Sequence, residues 1–492
     1  MAELVIVPPQ ADLFAAISGE DQLGDRFCLD NDALARRASG ITLTPQWLVD
    51  AMLARFGADQ AFDTVVDCGA GTGRFAIAAA QRWPAAKVIA VERGVEMAAL
   101  LRQRLAETGL SARVEVIVDD FREFVVPSGG RTLYIGNPPY VRHHQLEPEW
   151  KAWYSTGMAA LGIRASQLAG LHAHFMLHAL RQVRTGDALC FVTAAEWLDN
   201  GYGDALRRLC AGCPGLALRG LWLADADDPV FGDALVSAAV VLVEGSEREG
   251  DVSLGTIGDR RLREMRRAPV VQLRDSLRWS AHCQVSAPMS SVGVEVGELF
   301  RVTRGQVTGA NDVYVLDADQ RLLPATLVRP AVTRAREIID GQVLTREGTA
   351  GLRRVVDLPA DLDVLDADAR QAALAFIERA RAAGAHAGYV ARNRKPWYVV
   401  AMRVAPAAFV SYMGRRPPVF AANPFAVSYI NIAHGLYPRQ ALTPASLAGV
   451  LAHLNCTTDL RSGRVYGGGL AKFEPSDVAR LRVPGELLVF AE

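Results

Sequence analysis

Short apolar, β-branched runs alternate with stretches of helical period through the first half of the chain. Residues 64–67 read as a strand, 74–83 as a helix, and 87–91, 113–118 and 132–136 as further strands. Beyond them 171–180 has a helical period, while 188–193 and 235–243 are apolar runs of strand length. Strands separated by helices in this way predict an α/β domain with a doubly wound, mostly parallel sheet. Ligands of such sheets bind at the carboxyl ends of the strands, so the residues that follow each run matter most.

The first run ends in Asp67-Cys68-Gly69-Ala70-Gly71-Thr72-Gly73 and enters a helix. Glycines there let the backbone approach a ligand, and the helix N-terminus adds free N–H groups and partial positive charge. A carboxylate or a phosphate could use that turn; the spacing is not the strict dinucleotide fingerprint, and a tight turn without ligand is the alternative. The second run ends in Glu92, about 20 residues further on, where an acid suits ribose hydroxyls. The third ends in Asp119-Asp120-Phe121, an acceptor for an adenine amino group beside an aromatic ring. The fourth ends in Asn137-Pro138-Pro139-Tyr140. The Asn137 amide oxygen and the Pro138 carbonyl are acceptors for a planar amino group, the prolines keep those carbonyls out of a helical ladder, and Tyr140 offers a stacking face.

With these residues the chain resembles the adenine-N6 DNA methyltransferases, in particular the Taq-like gamma class. The resemblance implies a seven-stranded S-adenosylmethionine methyltransferase sheet followed by a C-terminal, mixed α+β target-recognition domain. Thr44, in Thr42-Leu43-Thr44-Pro45, looks like part of the methionine-binding motif. Asp67, Gly69 and Gly71 look like the glycine motif, Glu92 like the ribose acid, and Asp120 with Phe121 like the adenine clamp. Asn137, Pro138 and Tyr140 fall in the catalytic loop. Phe231, in Asp228-Pro229-Val230-Phe231-Gly232, aligns with a second base-stacking aromatic, with a core phenylalanine as the alternative. Arg93-Gly94 departs from the family where an aspartate is usual, which bears on the ribose contact.

Composition extends this picture to the second half. Residues 1–245 hold 21 basic and 29 acidic side chains, a net −8, whereas residues 246–492 hold 32 and 25, a net +7. The charged, glycine-flanked stretch 244–250 reads as a linker, giving a catalytic domain over 1–245 and a recognition domain over 251–492. All but four basic residues are arginine, whose fork matches phosphate oxygens and guanine edges. Arg392, Arg394 and Lys395, beside Trp397 and Tyr398, and Arg415 with Arg416, near Tyr412, suit a grip on double-stranded DNA; a solvated arginine-rich surface is the bland alternative. Segments 305–312 and 466–473 are similar to parts of Taq-like recognition domains.

Seven scattered cysteines argue against a disulfide framework and for a reducing cytoplasm. No run is long and apolar enough to span a membrane. No metal site is expected: of His172, His174 and His178 only the last two share a helical face, and Cys210-Ala211-Gly212-Cys213 has no second pair. About 40 residues precede Thr44 and none reads as a nuclease, so a restriction endonuclease or another defence-system subunit is expected on a separate chain. The expected chemistry is methyl transfer to a flipped adenine. Rival readings are a release-factor type glutamine methyltransferase, an RNA methyltransferase, cytosine-N4 methylation, and a non-catalytic DNA-binding subunit. The threonine-proline motif and the large second half favour DNA.

Overall fold

The structure, a computed structural model, describes residues 42–57, 60–127, 129–225, 237–283, 293–339, 351–466 and 470–490, together with Asp21, Leu23, Gly24, Asp228, Val230, Phe231 and Thr349. Pro229, Gly232, the start of the run 235–243 and the glycines 467–469 lie outside the described residues. The chain divides into two compact units, Met1–Ser286 and Ala287–Glu492.

In the first unit β1 (Thr64–Cys68), β2 (Lys87–Val91), β3 (Val114–Ile117), β4 (Thr132–Gly136) and β5 (Ala188–Ala194) pair in parallel in the order β3-β2-β1-β4-β5. All five residues of β1 and of β4 are buried, as expected of central strands covered on both faces. Side chains alternate between two cores. Val65, Leu133 and Ile135 meet the helices α1 (Gln46–Leu53), α2 (Arg74–Arg82) and α3 (Val95–Glu107). Val66 and Tyr134 meet α4 (Pro148–Ala159), α5 (Leu171–Gln182) and α6 (Asp204–Gly212). This is the doubly wound architecture. It places the ends of β1 to β4, with the residues that follow them, along one edge of the sheet.

The sheet is wider than the seven strands expected. β6 (Leu216–Ala224) and β7 (Ala238–Gly245) complete the seven, with β7 antiparallel between β5 and β6. β8 (Asp251–Gly258) then pairs in parallel with β6, and β9 (Arg261–Pro269) closes the edge. The stretch 244–250 is therefore a connection within one sheet, and the two units part near residue 286, not 245. The physical reason is legible in β9: Arg261, Glu264, Arg266 and Arg267 are exposed, so an outermost strand wet on both faces carries no apolar alternation to read. Charged side chains on such an edge also discourage pairing with another chain.

The second unit is mixed α+β. One of the two four-stranded sheets among its described residues is antiparallel, in the order Phe300–Arg304, Ala433–Pro438, Ala408–Ser411, Phe420–Ala422. The helix Ala367–Ala382 packs Phe376 and Ile377 against Tyr314, Leu327 and Val355. Asp366 caps it by accepting the Ala369 N–H, and Asp361 caps the short turn before it, so two of the four aspartates in 361–368 serve as helix caps.

Candidate functional site

A cavity of about 610 Å³ opens at the carboxyl ends of β1 to β4. Its wall includes Thr44, Gly69, Gly71, Glu92, Asp120, Phe121 and Asn137, seven residues that the sequence placed at the site. Two glycines shape it. Gly73 caps α2 in a left-handed conformation (φ 80°), with its α-carbon turned so that a Cβ would lie 2.1 Å from Leu101 Cδ1. Gly136, at φ 151°, lets β4 pass so close to β1 that a Cβ would sit 2.9 Å from the Cys68 carbonyl oxygen.

Glu92 braces the turn. One carboxylate oxygen accepts the Gly71 N–H at 2.8 Å and the other accepts the Gly94 N–H at 2.6 Å. Asp120 is held by its neighbour Arg122, which donates its backbone N–H, Nε and Nη2 at 3.0, 2.9 and 2.5 Å. Burial works against the Asp120 charge, but these contacts outweigh it and hold the carboxyl below its usual range. The Arg122 guanidinium in turn lies 3.5 Å from the centre of the Trp150 ring. Asp67 is fully buried beneath the turn and does not line the cavity. It accepts the Ala76 N–H at 2.9 Å, and burial pushes its carboxyl up to about 8.

Asn137 has a divided amide. Its Nδ2 donates to the Thr42 carbonyl at 2.9 Å, while its Oδ1 is buried with no hydrogen-bond partner. A buried, unpaired acceptor costs on the order of 1–3 kcal/mol, so its retention at a cavity wall calls for a functional account. Pro138 and Tyr140 lie beside the cavity, not in its wall. Tyr140 meets Phe231 edge to face, ring centres 6.1 Å apart and planes at 78°, so the two expected stacking rings contact each other and leave no parallel slot between them. Burial raises the Tyr140 hydroxyl, which has no partner.

Four contributors were not anticipated. Phe175 of α5 lines the cavity and packs on Phe121 with ring centres 5.2 Å apart. Nothing in the apolar run of α5 distinguishes it from a core phenylalanine. Arg122 and Trp150 are ordinary surface-type residues by sequence, and their pairing requires the fold. Arg74, also in the wall, bonds the Thr44 carbonyl at 2.9 Å and the buried Asp21 at 2.7 Å. Among the described residues no group of three His, Cys, Asp or Glu is arranged to hold a metal ion; His178 Nε2 lies 2.7 Å from the Phe124 carbonyl oxygen.

In the second unit Arg392, Lys395, Arg415 and Arg416 are exposed. Arg394 differs: it donates to the carbonyls of Val307 (Nη2) and Thr308 (Nη1, 2.8 Å), and burial lowers its pKa. It therefore ties down the loop 305–312 from below. No helix among the described residues is long and apolar enough to cross a membrane.

Sheet order, glycine turn and strand-end cavity together define a methyltransferase domain, and residues 65–161 match the general methyltransferase-domain family. Residues 118–211 match the Eco57I restriction-modification methylase family, and residues 286–490 match the C-terminal domain of Type II methyltransferase M.Eco57I. The Type II methyltransferase M.XamI of Xanthomonas campestris pv. amaranthicola is 40% identical over 461 residues, 92% of this chain and 87% of that protein. The chain belongs to the Type II restriction-modification methyltransferases and is a DNA methyltransferase. A release factor glutamine methyltransferase of Cereibacter sphaeroides is 30% identical over 133 residues, only 26% of this chain and 44% of that protein. The Type IIL restriction-modification enzyme MmeI, solved in complex with DNA, shares the fold at a TM-score of 0.53 and 11% identity, over 96% of this chain and 66% of that one.

Proposed function

We propose that this DNA methyltransferase transfers a methyl group from S-adenosylmethionine to N6 of an adenine turned out of duplex DNA. The observation that carries the reading is the unpaired Asn137 Oδ1, an acceptor at the cavity wall whose partner amide nitrogen is already committed to Thr42. The residues of the cavity fit the donor: a glycine turn at a helix N-terminus, the Glu92 and Asp120 carboxylates, and the apolar Phe121 and Phe175. Thr44, Gly69, Gly71, Glu92, Asp120 and Phe121 would hold it, with Asp67 shaping the turn from beneath.

When bound, the donor supplies a methyl on positively charged sulfur, a leaving group that needs no protonation. Asn137 Oδ1 accepts one N6 hydrogen and the Pro138 carbonyl the other, which draws the nitrogen lone pair out of ring conjugation and aims it. Alkylation makes that nitrogen more acidic, so its proton leaves afterwards to solvent and no strong base is required. Tyr140 and Phe231 part to take up the base. Turning the base out costs a few kcal/mol, and an aromatic stack returns about 1–3 kcal/mol per contact, so the two are of one size. Arg392, Lys395, Arg415 and Arg416 contact the DNA backbone. Methylation of this kind protects host DNA in the cytoplasm from a separate endonuclease or phage-defence partner.

The test is methyl transfer into DNA followed by mass spectrometry of the digested nucleosides, with RNA and protein acceptors run in parallel. N6-methyladenine in DNA is expected. N4-methylcytosine, or label only in RNA or in a glutamine side chain, would replace this reading with the corresponding rival. In N137A, label should fall by at least a hundredfold, on the order of the loss of one positioned polar group in an active site.

A further inference from the structure

Asp21 lies 51 residues ahead of Thr72 in the glycine turn, yet it is 4% exposed and joins three side chains around that turn, Thr72, Arg74 and Arg104. Its Oδ2 accepts the Thr72 hydroxyl at 2.7 Å and Arg74 Nε at 2.7 Å; its Oδ1 accepts the Gly24 N–H at 2.9 Å and pairs with Arg104 Nε at 3.0 Å. Each arginine carries the connection further. Arg104 donates from Nη1 to the Thr72 carbonyl at 2.5 Å, and Arg74 donates from Nη1 to the Thr44 carbonyl. Thr44 is two residues from Thr42, the carbonyl that fixes the Asn137 amide. Thr42, Thr44, Thr72, Arg74 and Asn137 all lie in the cavity wall.

We infer that Asp21 is a positioning residue for methyl transfer: it locks the glycine turn from behind and, through Arg74 and the 42–44 segment, fixes the Asn137 amide. The inference rests on the reading of this cavity as the S-adenosylmethionine site. Two buried guanidinium groups next to a cavity for a sulfonium donor are unfavourable unless balanced, and Asp21 pairs with both of them. Burial opposes its charge, but Arg74 and Arg104 outweigh that effect and hold the carboxyl below its usual range.

Full-length D21N and the milder T72V are compared with wild type by calorimetric binding of S-adenosylmethionine and by methyl transfer at saturating donor. D21N should weaken donor binding about tenfold or more, the scale of coupling within one buried network. It should also depress kcat at saturating donor, because Asn137 loses its register; T72V should show the same pattern in smaller measure. Should D21N not fold, the charge-balanced D21N/R104M replaces it, with the same loss expected. A lowered melting temperature with donor affinity unchanged below it would make Asp21 merely structural and overturn the inference. Failure of the wild-type protein itself to bind the donor would instead overturn the reading of the cavity.

Discussion

At the scale of single residues, the polar groups of the site are committed to different degrees. Asn137 spends its Nδ2 on Thr42 and keeps Oδ1 unpaired; Glu92 spends both oxygens on backbone N–H groups of the turn. Replacing Glu92 by Gln leaves an amide NH₂ facing one of those N–H donors, so E92Q should weaken donor binding about tenfold, read by calorimetry; unchanged affinity would remove Glu92 from the bracing of the turn. Y140A should reduce the fluorescence rise of 2-aminopurine placed at the target base, whereas a signal equal to wild type would argue against stacking on Tyr140. Much of this was legible from chain order alone, because Glu92, Asp120 and Asn137 each follow an apolar run. Phe175, Arg122 and Asp21 were not. Their signal is a partner 51 or 54 residues away, for Asp21 and Phe175, or a ring on another element for Arg122, and no local pattern encodes such pairings.

At the scale of elements, strands β2 and β4 fall on the bounds expected, Lys87–Val91 and Thr132–Gly136, since each is a short apolar run closed by a polar or glycine-rich turn. α5 carries a pH dependence. His172 and His174 are buried, and burial lowers them to about 4 and about 3. Between pH 6.5 and 4 the unfolded chain binds protons there that the folded chain does not, so stability falls as the solution is acidified. Asp67 acts in the opposite sense, because its folded form keeps a proton up to about pH 8, but two histidines outnumber one carboxyl. His174 stacks on Tyr154 with ring centres 4.8 Å apart, a place that phenylalanine fits. H174F should therefore flatten the fall by about 1.4 kcal/mol per pH unit, measured by denaturant unfolding at pH 7, 6 and 5. A slope equal to wild type would show that His174 does not hold its neutral form.

At the scale of the whole molecule, the division near residue 286 moves the boundary but keeps the charge asymmetry. Residues 1–286 hold 29 basic and 35 acidic side chains, a net −6, and residues 287–492 hold 24 and 19, a net +5. The boundary was misread because β8 and β9 are joined to the sheet by a charged connection and end in a polar edge strand. If the second unit grips phosphates, the logarithm of DNA affinity falls linearly with that of salt, and each contact contributes about 0.9 to the slope. R392A, K395A, R415A and R416A combined should lower the slope measured by fluorescence anisotropy. R394M should leave it unchanged and lower the melting temperature, since Arg394 holds the carbonyls of Val307 and Thr308. An altered slope in R394M would return that residue to the phosphate surface.

The edge-to-face meeting of Tyr140 and Phe231 bears on turnover. On the proposed reading, a nucleobase that inserts there gives up the Tyr140–Phe231 contact for its own stacking, so its net gain is less than the stack alone. A shallow seat lets go easily. If the base is turned out as proposed, the methylated base can swing back into its helix without climbing out of a deep well, leaving the enzyme ready for its next site.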